Sequence, residues 1–205
     1  MVENNSFSDL VIPTSDNGPS QGARGAVIYA WSSFAWDDAR GNLIIFGGGH
    51  ANYSGNEVYI WNGETGLWDF ASLPSLVDYA DPDGIIPSKD APQSTHTYQN
   101  NVYLPNQGLF VTYGGAAANG GSVFLELVTS SPRVTRHVAP WVFDVSKADP
   151  NKVGGATGSG WDLTTVKQGS NAWYNRRDYV DGDYPIDTLN HVNQAAVAVD
   201  EDGTD

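Results

Sequence analysis

Phe34-Ala35-Trp36-Asp37-Asp38-Ala39-Arg40-Gly41-Asn42-Leu43-Ile44-Ile45-Phe46-Gly47-Gly48 returns, loosely rewritten, as Asn101-Val102-Tyr103-Leu104-Pro105-Asn106-Gln107-Gly108-Leu109-Phe110-Val111-Thr112-Tyr113-Gly114-Gly115. In both, a strand rich in aromatic or apolar residues enters a short polar turn closed by glycine, and an apolar strand then stops at a Gly-Gly pair. The offset is 67 residues, from 115 − 48 or equally from 108 − 41. Self-similarity at long period marks a repeat architecture. A third copy opens at Ala195-Ala196-Val197-Ala198-Val199-Asp200-Glu201-Asp202-Gly203, its turn glycine 203 − 108 = 95 residues after the second.

Each unit has a direct physical reading. The turn glycines supply positive φ without steric cost. Leu43 to Phe46 is apolar at every position, as a strand covered on both faces must be. The Gly-Gly pair ends that strand where the backbone bends without room for Cβ atoms. A second hairpin follows, Glu57-Val58-Tyr59-Ile60-Trp61-Asn62, the turn Gly63-Glu64-Thr65-Gly66, then Leu67-Trp68-Asp69-Phe70. In the second unit Trp141-Val142-Phe143-Asp144 takes the place of the third strand, and Trp161-Asp162-Leu163 that of the outer strand. The fold class expected is all-β, built from four-stranded antiparallel units in series.

Composition agrees. The 205 residues include 23 glycines, 11 prolines, 7 tryptophans and 10 tyrosines, a turn-dense, aromatic chain. No window keeps helical apolar spacing for more than about two turns. A net charge of −14 opposes binding to nucleic acid or to anionic bilayers. The absence of cysteine removes disulfides, thiolate metal sites and cysteine nucleophiles. No stretch approaches the ~20 apolar residues of a membrane span. The first residues lack the basic and apolar regions of a signal peptide, so the compartment is left open.

An apolar strand ending in Gly-Gly, a following aromatic-x-aromatic-Asn/Asp, and a tryptophan after a glycine-bearing turn resemble the kelch repeat of β-propellers, which the galactose-oxidase central domain shares. Gly47-Gly48-Gly49-His50 through Gly55-Asn56-Glu57-Val58-Tyr59 is similar to a variant found in bacterial kelch proteins. The resemblance implies a partial propeller: one blade over about residues 28–72, a second over about 95–166, and the start of a third over about 190–205. Residues 6–12, which parallel 67–74 in closing on apolar-Pro, are expected to form the outer strand of a preceding or closing blade. Closed propellers need ~4–8 blades, so the reading is a piece of a longer gene product, or a chain that associates through its open blade edges.

Alternating strand direction sends the segments 13–27, 49–55, 74–95, 116–139 and 167–190 to one face of such blades, with 146–160 opposite. Elaborated loops on one side of a rigid scaffold are where binding sites gather. The candidate ligand-binding residues there are His50, Asn52, Tyr53, Asn56 and Glu57 in the first glycine-rich loop, with Arg24 ahead of the first inner strand. His96 and His191, 95 residues apart, are expected where inner strands begin, with Tyr29 in the corresponding place of the first blade. These imidazoles either line a pocket for a polar ligand or a metal or bond neighbouring backbone carbonyls, repeated because the repeat is repeated. Asp78, Asp81, Asp83 and Asp90 have oxygen ligands for Ca²⁺, but Asp-Pro-Asp-Gly at 81–84 reads equally as a turn.

No catalytic residue, metal site or cofactor is assigned. Resemblance to galactose oxidase implies a copper site with a tyrosine crosslinked to cysteine, and a chain without cysteine cannot form it. The expected function is a binding module for a glycan or protein ligand, with a carbohydrate-active enzyme (hydrolase, lyase or non-copper oxidoreductase) as the alternative.

Overall fold

A computed structural model describes residues 5–12, 24–29, 32–47, 53, 55–75, 91–92, 94–112, 116–117, 140–155 and 169–175. Strands β1 (Ser32–Asp37), β2 (Asn42–Gly47), β3 (Val58–Asn62) and β4 (Leu67–Ser72) form an antiparallel sheet in sequence order. The turn between β1 and β2 closes on Gly41 at φ 65°, and that between β3 and β4 on Gly66 at φ 73°. Asn62 shapes the second turn, its Oδ1 accepting the amides of Glu64 at 3.0 Å and Thr65 at 2.9 Å. The two turns are tied together by the Gly63 amide donating to the Gly41 carbonyl at 3.0 Å.

A two-residue ladder joins β5 (Thr95–His96) to β8 (Ala116–Ala117). Strands β6 (Asn101–Leu104), β7 (Leu109–Thr112), β9 (Trp141–Asp144) and β10 (Trp173–Asn175) make the second antiparallel sheet, ordered β10-β9-β7-β6. Its first turn closes on Gly108 at φ 70°, as the matching glycine of the first sheet does. The strand beside β9 is Trp173–Asn175; Trp161–Leu163, expected in that place, lies outside the described residues. The swap has a packing reason. Trp173, 1% exposed, sits at the centre of the core between the sheets, its ring 5.1 Å from that of Phe46, 5.0 Å from Phe143 and 6.3 Å from Phe110. Gly154 lies directly against this indole, where a side chain would collide with it.

The sheets pack face to face. Ala35, Ile44, Phe46, Val58 and Ala71 of the first meet Tyr103, Phe110, Trp141, Phe143 and Trp173 of the second. They also run the same way. At one end Thr97 Oγ1 and Asn101 Nδ2 donate to the Phe46 carbonyl at 3.2 and 3.0 Å. At the other, Arg40 in the β1–β2 turn pairs with Asp37 at 2.8 Å and donates to the Tyr103 hydroxyl at 2.9 Å. The connection from β9 to β10 crosses to the first sheet. There the Asp149 amide donates to the Ala71 carbonyl at 2.8 Å, and Leu73 to that of Lys152 at 2.7 Å.

The other face of the first sheet is covered by the N-terminal segment, and here one expectation fails. Residues 6–12 are not a strand: Phe7–Asp9 is a turn of 3₁₀ helix. Asp9 Oδ2 accepts the Ser6 amide at 2.6 Å and its hydroxyl at 2.9 Å, which curls the chain. Phe7, Ile12 and Val27 then cover Ile45, Tyr59, Phe70 and Leu73. Asn5 supplies what a neighbouring strand would, its carboxamide exchanging hydrogen bonds of 2.8 and 2.7 Å with the Trp68 carbonyl and amide. Together with residues 149–152 it occupies the outer edge of β4, so that edge is not open to association. The single-turn helix α1 (Ala26–Tyr29) completes the cover. Among the described residues no helix is long and apolar enough to cross a membrane. The start of the third blade, expected over about 190–205, lies outside the described residues.

Candidate functional site

The loop between β2 and β3 re-enters the sheet through Gly55-Asn56-Glu57, and strand alternation then decides where each side chain goes. Glu57 and Tyr59, two apart, share the face covered by the N-terminal segment, and Tyr53 folds back beside them. All three are within 2% of full burial. The Tyr53 and Tyr59 hydroxyls both donate to Glu57 Oε1, the latter at 2.5 Å. Glu57 Oε2 is buried without a partner. Gly55 packs so tightly against Oε2 and the Tyr53 hydroxyl that no Cβ fits there.

Arg24, 8% exposed, closes the cluster from the N-terminal segment. Its Nη2 donates to the Ser8 carbonyl at 3.4 Å, and its guanidinium carbon lies 5.6 Å from the centre of the Phe7 ring, a cation–π contact. Nη1 is buried without a partner. Burial raises the Glu57 carboxyl above its ordinary value, against the lowering effect of the two hydroxyls and, more weakly, of Arg24. Burial, and then the charge of Glu57, raises both tyrosines well above theirs. The arrangement is a closed polar knot in which two phenols hold one carboxylate oxygen, and it ties the N-terminal segment to β3.

Asn56 points elsewhere and acts as a staple. Its Oδ1 accepts the Ser75 amide at 2.7 Å, and its Nδ2 donates to the Pro92 carbonyl at 2.9 Å. These bonds fasten the β2–β3 loop to two segments of the β4–β6 connection. His96 belongs to the short β5–β8 ladder, five residues ahead of the inner strand it was expected to begin, since β6 starts at Asn101. Its ring meets that of Tyr98 edge-on at 5.9 Å. Tyr29 is likewise not on an inner strand: it ends helix α1 and is 76% exposed, because β1 begins only at Ser32. His50, Asn52 and His191 lie outside the described residues, as do Asp78, Asp81, Asp83 and Asp90.

The structure therefore brings Tyr53, Glu57 and Arg24 together, and separates them from Asn56, Tyr29 and His96. It adds Tyr59, which sequence reasoning passed over although its two-residue spacing from Glu57 signalled a shared face. Among the described residues, no three His, Asp or Glu side chains converge as a metal site would require. Comparison of the chain with protein-family models, curated proteins and solved structures finds no match.

Proposed function

We propose that the chain is part of a kelch-type β-propeller that works as a binding scaffold, holding a glycan or protein ligand on one loop-rich face. The observation that carries this reading is the common polarity of the two sheets. Because they run the same way, the four-residue turns 38–41, 63–66 and 105–108 fall at one end. The long connections 48–57, 73–100 and 113–140 leave from the other, with 145–172 the exception. A rigid base with elaboration on one side is the usual plan of a recognition surface. The net charge of −14 favours a neutral or cationic ligand over a polyanion.

The enzymatic alternative finds less support. Glu57, the carboxyl among the candidate residues, is shut in by Tyr53, Gly55 and Tyr59 and has no access for a substrate. A glycan array probed with the whole chain, and with a variant whose residues 118–138 are replaced by a short Gly/Ser linker, tests the binding reading. Binding to neutral glycans that the replacement abolishes, at an unchanged unfolding midpoint, is expected. Binding confined to anionic glycans, or untouched by the replacement, contradicts the reading.

A further inference from the structure

The internal repeat serves as a ruler. With the offset of 67, Trp36 corresponds to Tyr103 and Leu43 to Phe110. Tyr103 and Phe110 are cross-strand partners on the face turned toward the first sheet, where Tyr103 is only 5% exposed. Trp36 and Leu43 are cross-strand partners too, on the face turned away from the second sheet. There Trp36 is 52% and its strand neighbour Phe34 45% exposed. What buries Tyr103 is the sheet before it: Ala35 shares its core, and Arg40, paired with Asp37, donates to its hydroxyl. The N-terminal segment covers the middle and outer strands of the first sheet but leaves the two β1 aromatics about half exposed.

We propose that the Phe34–Trp36 face is a self-association surface whose occupant is the second sheet of another copy of this chain, docked head to tail as the two sheets already are within one chain. The same offset identifies the complementary surface. Ala35, Asp37 and Arg40, which receive Tyr103, correspond to Val102, Leu104 and Gln107. Val102 and Leu104 are half-buried and Gln107 is exposed. Each copy thus carries both halves, two aromatics at one side and two aliphatics at the other, on inner strands of equal register. The contact continues an existing interface and uses sheet faces, not strand edges. It is heterologous, so it propagates head to tail and closes only if the rotation allows. Copies of net charge −14 repel one another, so added salt strengthens the association by screening.

Sedimentation velocity of the whole chain from about 1 to 100 µM, at low and high salt, tests this without any ligand. The weight-average mass should rise above the 22.0 kDa monomer with concentration, and more so in salt. Trp36→Glu and Leu104→Glu should each weaken association at least about tenfold, because each places a charge at the centre of an apolar contact. An equimolar mixture of the two variants has one intact interface and should form a dimer and nothing larger. A chain that stays monomeric at every concentration and salt overturns the proposal. So does association that survives both variants, or a mixture that fails to pair. Trp36→Ser, read in the same assay alongside its unfolding midpoint, stands in if a glutamate variant does not fold.

Discussion

The two faces of the first sheet are held by opposite means. The face toward the second sheet is apolar at its centre, organised around the buried indole of Trp173, with one buried carboxylate, Asp37, paired to Arg40 at its rim. The face toward the N-terminal segment mixes Phe7, Ile12 and Val27 with a buried carboxyl, two phenols and a guanidinium. The first kind of contact gains most of its free energy from area removed from water. The second gains less, because each buried polar group must be repaid by a partner, and Glu57 Oε2 and Arg24 Nη1 have none. What it provides instead is registry. It sets Arg24 and Phe7 beside the Glu57 knot while Asn5 reaches the edge at Trp68.

The sharpest way to break this contrast is on the apolar side. Trp173→Ala should destabilise by about 3–5 kcal/mol, the range for emptying a core aromatic site, measured by urea unfolding with both sheets lost together. On the polar side the effects are smaller. Tyr59→Phe removes one of the two hydroxyls that hold Glu57 Oε1 and should destabilise by about 1–3 kcal/mol.

Acidity separates the two faces further. Burial raises the Glu57 carboxyl above its ordinary value of 4.5, so the native chain binds this proton more tightly than the unfolded chain does. Its contribution to stability is therefore fully present below that ordinary value and is lost as pH rises through the raised native one. Glu57→Gln should remove this decline, so the stability of the variant relative to the parent increases from pH 4.5 upward. Equal slopes for parent and variant would show that the Glu57 carboxyl is not raised in the native state, the two hydroxyls and Arg24 having offset its burial. The smallest effect is expected at the edge. Asn5→Ala deletes two hydrogen bonds to Trp68 and should destabilise by about 1 kcal/mol, with faster amide exchange at Trp68.

The strands were legible where glycine punctuates an apolar run. Gly41 and Gly108 have the positive φ their turns require, and seven of the eight strands of the two sheets fall on stretches read from the repeat. The eighth misled because two tryptophans, Trp161 and Trp173, follow β9 at plausible distances, and only tertiary packing selects Trp173. Residues 6–12 misled for a local reason. Their pattern copies 67–74, but Ser6 and Asp9 capture each other before a strand can form. Tyr29 and His96 were aligned by the offset, and both precede their inner strands, since a repeat fixes correspondence without saying where pairing starts. The chemistry was the least legible part. Glu57 and Tyr53 read as loop residues open to a ligand, because sequence does not show that Phe7 and Arg24 return to seal them in.

The two sheets run the same way, with their short turns together and all but one of their long connections at the opposite end. Because the chain has no cysteine, a spin-label pair can be introduced cleanly at Ala39 and Gln107, in the β1–β2 and β6–β7 turns. Dipolar spectroscopy should give a single short separation, below about 25 Å, consistent with turns that neighbour each other along packed strands. A separation longer by the length of a strand, about 17–20 Å, would place the turns at opposite ends and contradict both the shared polarity and the loop-rich face built on it.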